Sequence, residues 1–171
     1  TATINQLDLE FINAYMEPEV LDIQGFASGT MSITGTPDAP QLRADALLKD
    51  ASVYVYYLNT KYYIQNRIGV YPAMFTFDHV SIKDEKGKSG FLTGQMLHDN
   101  FGDWNFDLII DMEEPMLAMN TTVEQNSMYY GQAYTTGNVS IYGYDSNLEF
   151  DITLKSEKGT TIAMPMGTSS E

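Results

Sequence analysis

Two histidines and 23 acidic side chains are the groups in this 171-residue chain best suited to acid–base or metal chemistry, and cysteine is absent. His79 follows Asp78 and His98 precedes Asp99, but neither pair is set among further carboxylates in a ligand signature. Both histidines read as ordinary strand-end residues. Asp99-Asn-Phe-Gly-Asp103 and Asp111-Met-Glu-Glu114 hold enough oxygen to suggest calcium, yet neither has the alternating oxygen ligands and glycine of a calcium loop. They read as solvated turns. Serine and threonine are abundant without a nucleophile-elbow pattern, and no glycine-rich phosphate loop occurs, so a hydrolase would need an arrangement invisible in sequence. The expectation is a non-catalytic protein with no metal and no cofactor.

The aromatic and thioether side chains say more. Tyr54, Tyr56, Tyr57, Tyr62 and Tyr63 cluster in a short stretch. Amphipathic rings suit a boundary with one apolar and one wet side, although cross-strand pairing within the fold is the simpler account of them. Of ten methionines, Met31, Met74, Met96, Met112, Met164 and Met166 fall in or beside apolar rows. Flexible thioethers suit either a surface that adapts to acyl chains or ordinary gap-filling in a core.

The elements that must position these groups are strands. Ser28-Gly-Thr-Met-Ser-Ile-Thr-Gly-Thr36 and Thr136-Gly-Asn-Val-Ser-Ile-Tyr-Gly-Tyr144 are two copies of one glycine-bracketed, alternating pattern, and Leu92-Thr-Gly-Gln-Met96 is a looser third. Met31 and Ile33, like Val139 and Ile141, lie two apart and share a strand face, with Ser32 and Ser140 on the other. Strands are expected over 30–34, 42–48, 52–58, 62–66, 74–82, 90–98, 106–112, 116–120, 131–142, 148–155 and 161–164, with turns at 35–40, 84–87 and 157–159. One departure from this pattern is a short amphipathic helix expected over Leu7–Glu17: Asp8 suits an N-cap, Phe11, Ile12, Tyr15 and Met16 fall at helical spacing, and Pro18 follows.

Alternation then defines a single apolar face. Leu42, Ala44, Ala46 and Leu48 form one row against Arg43, Asp45 and Lys49; Phe106, Leu108, Ile110 and Met112 form another; Leu148, Phe150, Ile152 and Leu154 form a third against Glu149, Asp151, Thr153 and Lys155. Charge on the second face of these strands means that they cannot be buried on both sides. With Met31, Ile33, Met96, Val139, Ile141, Ile162 and Met164, these rows are the candidate lining of one interior. A meander of this kind fits a sandwich, a barrel or a long sheet folded on itself.

Composition bounds the rest. Hydrophobic residues make up 43% of the chain, apolar runs are too short for a membrane-spanning helix, and no linker interrupts them, so one all-β domain over residues 1–171 is expected. A net charge of −14 argues against nucleic acid or anionic headgroups as electrostatically recruited partners. Absence of a basic, apolar leader at Thr1 suggests a mature domain or a fragment of a larger protein.

The wording of the strands resembles a known family. Gly25-Phe-Ala-Ser-Gly29, Ile33-Thr-Gly-Thr36, Pro40-Gln-Leu42, Leu58-Asn-Thr-Lys-Tyr62, Leu92-Thr-Gly94 with His98, Asn126-Ser-Met-Tyr-Tyr-Gly131, Ala133-Tyr-Thr-Thr-Gly137 and Glu157-Lys-Gly-Thr-Thr-Ile-Ala-Met-Pro165 are similar, in this order, to the C-terminal region of the AsmA-like TamB (translocation and assembly module) family, especially its Bacteroidetes-type members. The resemblance implies a long antiparallel meander folded lengthwise into an open apolar trough, a β-taco. It also implies a periplasmic location, an N-terminal inner-membrane anchor absent from this chain, and an Omp85-type outer-membrane partner. Its implied cargo is phospholipid acyl chains moving between the membranes, or unfolded outer-membrane protein clients during their assembly. A closed β-sandwich acting as a structural or interaction module is the competing expectation, in which the same rows pack on each other.

Overall fold

The computed structural model describes residues 2–15, 21–36, 39–99 and 102–165. Among them ten strands follow in order: β1 (Ala2–Asp8), β2 (Leu21–Thr36), β3 (Ala39–Val55), β4 (Thr60–Tyr71), β5 (Met74–Lys83), β6 (Ser89–Asp99), β7 (Gly102–Thr121), β8 (Tyr130–Tyr144), β9 (Asn147–Ser156) and β10 (Thr161–Ala163). They build one antiparallel meander in which each strand from β1 to β8 pairs with the next, and β8 then takes β9 and β10 along its far edge. The sheet is all-β and not closed. Among the described residues β1 pairs only with β2, and β9 only with β8.

Two long strands each join a pair of segments that the alternation keeps apart. β3 absorbs 42–48 and most of 52–58 through a bulge between Leu48 and Ala51, where Asp50 takes a φ of 52°. β7 joins 106–112 to 116–120 through an irregularity between Met112 and Met116. A bulge inserts residues without ending the strand, so the apolar rows on either side stay on one face. The turn at 35–40 is tighter than expected: Gly35 pairs with Pro40 and Thr36 with Ala39, and the two intervening residues lie outside the described residues. Glu157–Gly159 is no hairpin. β9 and β10 run the same way along β8, joined by the expected turn, in which Thr160 N–H donates to Glu157 O at 3.2 Å.

The helix expected over Leu7–Glu17 is shorter than the pattern suggests. Leu7 and Asp8 belong to β1 and pair with Ala27 and Phe26, and a six-residue 3-10 helix, Glu10–Tyr15, follows. Asp8 still behaves as a cap, its Oδ1 accepting the Glu10 N–H at 2.9 Å. The side chain of Asn13 then binds both backbone polar groups of Ile23 on β2, accepting from its N–H at 2.8 Å and donating to its O at 2.9 Å. Strand pairing at one end and this clamp at the other leave no room for an α-helical ladder. Met16 and Glu17 lie outside the described residues. Buried Leu9 and half-buried Ile12 cover one end of the apolar face over Ala27, Ala46, Ala51 and Val70.

Beyond the turn that joins β5 to β6, β7 leaves β6 and crosses toward β4. The buried carboxylate of Asp84 holds that corner: Oδ1 accepts the N–H of Lys86 (2.9 Å) and of Lys88 (2.8 Å), and Oδ2 accepts the N–H of Leu117 (2.7 Å). Beyond it Asn120 N–H donates to Leu58 O at 2.9 Å, and the Asn59 amide donates to Asn120 O, so the β3–β4 turn rests on β7. Beneath this crossing Ile82, Met112 and Met116 form a compact cluster with Tyr62, Ile64, Leu92 and Ile110.

Candidate functional site

The register brings the candidate lining residues onto one face of the sheet. Opposed residues in a ladder share a face, and one row runs unbroken across eight strands: Met31, Ala44, Val70, Phe75, Met96, Phe106, Gly143 and Leu148. A second row at the β6–β9 side is Gly94, Leu108, Ile141 and Phe150, and a third is Leu92, Ile110, Val139 and Ile152. Ile33 opposes Leu42, Ala46 opposes Gly29, and Ile162 opposes Gly131 on the same face. Met164 stands apart, just beyond β10 and 71% exposed.

Glycines set how closely these rows approach. At Gly94, with φ +128°, an added Cβ would lie 2.1 Å from the carbonyl oxygen of Asp107; at Gly137, with φ +122°, it would lie 2.2 Å from that of Thr153. Neither space can hold a side chain, which explains why the repeated pattern is bracketed by glycine.

The face is not uniformly covered. Its centre is buried at Ala46, Val70, Val80, Leu108 and Met112. Its margins are open: Ile33 on β2 is 60% exposed, and on β9 Phe150 and Ile152 are 56% and 57% exposed. The other face carries Asp45, Arg67, Asp107, Glu149, Asp151 and Lys155, all exposed, with Arg67 and Asp45 paired at 2.9 Å. An ion pair this exposed contributes little stability. Its role on this face is to keep it wet.

The residues singled out for chemistry disperse. His79 sits in a bulge of β5 with φ 50°, stacked on Phe91 at 3.8 Å between ring centroids, and is therefore mid-strand. His98 is buried at the end of β6 against Trp104 (5.0 Å) and Phe75 (5.4 Å). Burial pushes the His98 imidazole below its ordinary pKa, with the neighbouring Asp99 charge opposing. The acidic stretch at Asp111 is not a turn but part of β7, where Glu114 accepts from Ser89 N–H at 2.9 Å and Ser89 Oγ at 2.8 Å. Those bonds, with Lys88 beside them, hold its carboxyl below the usual carboxylate range. Among the described residues no three His, Asp or Glu side chains come together to hold a metal ion.

The tyrosines take up local structural work. Tyr54 and Tyr56 meet edge to face at 4.8 Å, Tyr57 meets Tyr129 at 6.2 Å, and the Tyr62 hydroxyl donates to Leu117 O at 3.0 Å. Sequence reasoning missed Ile68, Val70, Phe75 and Phe77 as members of the apolar face. Their alternation is legible in pairs, but bulges in β4 and β5 interrupt the rows before they can be followed.

Comparison of the chain with protein-family models, with curated proteins and with solved structures finds no match. No helix among the described residues is long and apolar enough to cross a membrane.

Proposed function

We propose that the chain is a non-catalytic module whose apolar sheet face forms a trough for phospholipid acyl chains. The observation that carries this reading is the eight-strand apolar row from Met31 to Leu148 on a sheet that is not closed, with exposed hydrophobic margins at Ile33, Phe150 and Ile152. Hydrocarbon needs no directional partner, only continuous apolar surface and exclusion of water, and a polar outer face keeps such a module dispersed. An open sheet favours this reading over a closed sandwich, in which both margins would be covered. In line with the resemblance to translocation and assembly module proteins, the setting we propose is the periplasm. There a longer protein, anchored in the inner membrane and reaching an Omp85-type partner, would pass phospholipid between membranes. The same face holding unfolded outer-membrane clients is the alternative cargo.

Photo-crosslinking distinguishes these. A benzophenone side chain placed in turn at positions 148 to 153, with the protein expressed in an envelope-containing bacterium, should label phospholipid at 148, 150 and 152 and not at 149, 151 and 153. Polypeptide adducts in place of lipid would transfer the reading to protein clients. Absence of any alternation would overturn the trough.

A further inference from the structure

Among the described residues the sheet has two free edges, and they differ. β1 has seven residues and is broken by a bulge between Ile4 and Leu7, where Gln6 takes a φ of 60° and gives its N–H to Ser28 Oγ. Such an edge is blunted against further pairing. β9 has ten residues, keeps an unbroken register with β8 from Asn147 to Ser156, and is exposed along its whole length. Alternate N–H and C=O groups of β9 point away from β8 with no strand among the described residues to receive them, which is a template for strand addition.

The side chains of β9 specify what can pair there. Its charged face reads Glu149, Asp151, Thr153, Lys155, and its apolar face Leu148, Phe150, Ile152, Leu154. A second β9 laid antiparallel must oppose residues of the same face, so only even registers are open to it. Centred on Asp151, two copies would oppose Asp151 to Asp151. Centred on Phe150, Glu149 would twice oppose Asp151. Centred on Ile152, Glu149 meets Lys155 twice, Asp151 meets Thr153, and Phe150 meets Leu154, with Ile152 on the two-fold axis. That register uses the strand from Leu148 to Ser156 and opposes no like charges; the one centred on Thr153 also pairs Asp151 with Lys155 twice, but it uses only Phe150 to Ser156 and sets Glu149 opposite Glu157 just beyond the strand. Lys155 also reaches Glu157 at 2.9 Å within the chain but is 78% exposed, free to turn toward a partner strand.

We propose that β9 pairs antiparallel with β9 of a second copy about Ile152, joining two ten-stranded sheets into one and making their apolar faces continuous. The proposal is independent of what those faces carry. The charges that would repel an arbitrary acidic strand, in a chain of net charge −14, select this partner and this register.

Sedimentation equilibrium of the 171-residue chain should show a concentration-dependent dimer. Glu149→Lys or Lys155→Glu alone, each opposing like charges twice, should weaken it by about tenfold. The double exchange Glu149→Lys with Lys155→Glu should restore it. In this cysteine-free chain, Ile152→Cys should give a disulfide-linked dimer under mild oxidation, and Ile33→Cys, equally exposed at the other margin, should not. Circular dichroism checks that each variant stays folded. A monomer at all concentrations, a dimer indifferent to both reversals, failure of the double exchange to restore it, or equal cross-linking at positions 33 and 152 would each overturn the proposal.

Discussion

The hydroxyl of Tyr62 on β4 donates to the carbonyl oxygen of Leu117 on β7 at 3.0 Å, across a gap that no ladder pairing spans. Leu117 is buried, and its own N–H is taken by Asp84. Two side chains thus satisfy both peptide groups of the residue at which β7 crosses the end of the sheet. Tyr62→Phe keeps the ring and orphans that carbonyl, and should cost about 1–2 kcal/mol in urea unfolding. Burial, with the charges of Asp84 and Glu85 added, raises the Tyr62 pKa above its ordinary 10.0. A raised folded pKa gives stability that is full below the unfolded pKa and is lost as pH rises through the folded one. The native chain should therefore lose stability above about pH 10, and Tyr62→Phe should lose less over the same range.

Asp84 is a sharper test of the same corner, because it accepts three backbone N–H groups and one of them, from Leu117, is buried. Asp84→Ala should destabilise by about 3 kcal/mol or more. Asp84→Asn keeps one acceptor oxygen, so roughly half that loss is expected. Equal losses in the two variants would mean that the carboxylate does not bridge the β5–β6 turn and β7.

Gly94 and Gly87 both have positive φ and differ in surroundings. A Cβ at Gly94 would meet the Asp107 carbonyl at 2.1 Å, whereas at Gly87 nothing lies within 4 Å. Gly94→Ala should cost at least about 2 kcal/mol, combining strain with displaced backbone. Gly87→Ala carries the backbone term alone, about 1 kcal/mol. Thermal melts of the two variants would rank them.

Much of the sheet is legible because alternation is local. Leu42 to Leu48 and Leu148 to Leu154 each state their face within seven residues, and the structure puts both rows where the period of two requires. What stays hidden is whatever depends on a break in that period or on a distant partner. Asp50 with its positive φ, and the Glu113–Pro115 irregularity, let β3 and β7 run on where the alternation stops. The bulge at His79 puts Val80 in the buried core although it is out of step with Phe75 and Phe77. The helical spacing of Phe11, Ile12 and Tyr15 is real, but the pairing of Leu7 with Ala27 and the Asn13 clamp on Ile23 overrule it. Nothing in the composition announces that Tyr62 and Leu117 meet, since 55 positions separate them and no pattern links the two.

The position of a charge across the apolar face should decide whether it unfolds the chain or only spoils its surface. Leu108 and Phe150 lie in the same cross-strand row, joined through Ile141, yet Leu108 is 9% exposed and Phe150 is 56% exposed. Leu108→Asp must bury a carboxylate between Gly94 and Ile141 with no cation beside it in the row, and should cost about 4 kcal/mol. Phe150→Asp leaves its charge in water and should stay within about 1 kcal/mol of the native chain. Chemical denaturation measures both. If acyl chains occupy the face, the folded Phe150→Asp protein should also bind a pyrene-labelled phospholipid much more weakly, while Thr153→Asp on the wet face of the same strand should bind as the native chain does. Equal binding by all three would show that hydrocarbon does not lie along β9, and an unfolded Phe150→Asp would show that this margin is covered.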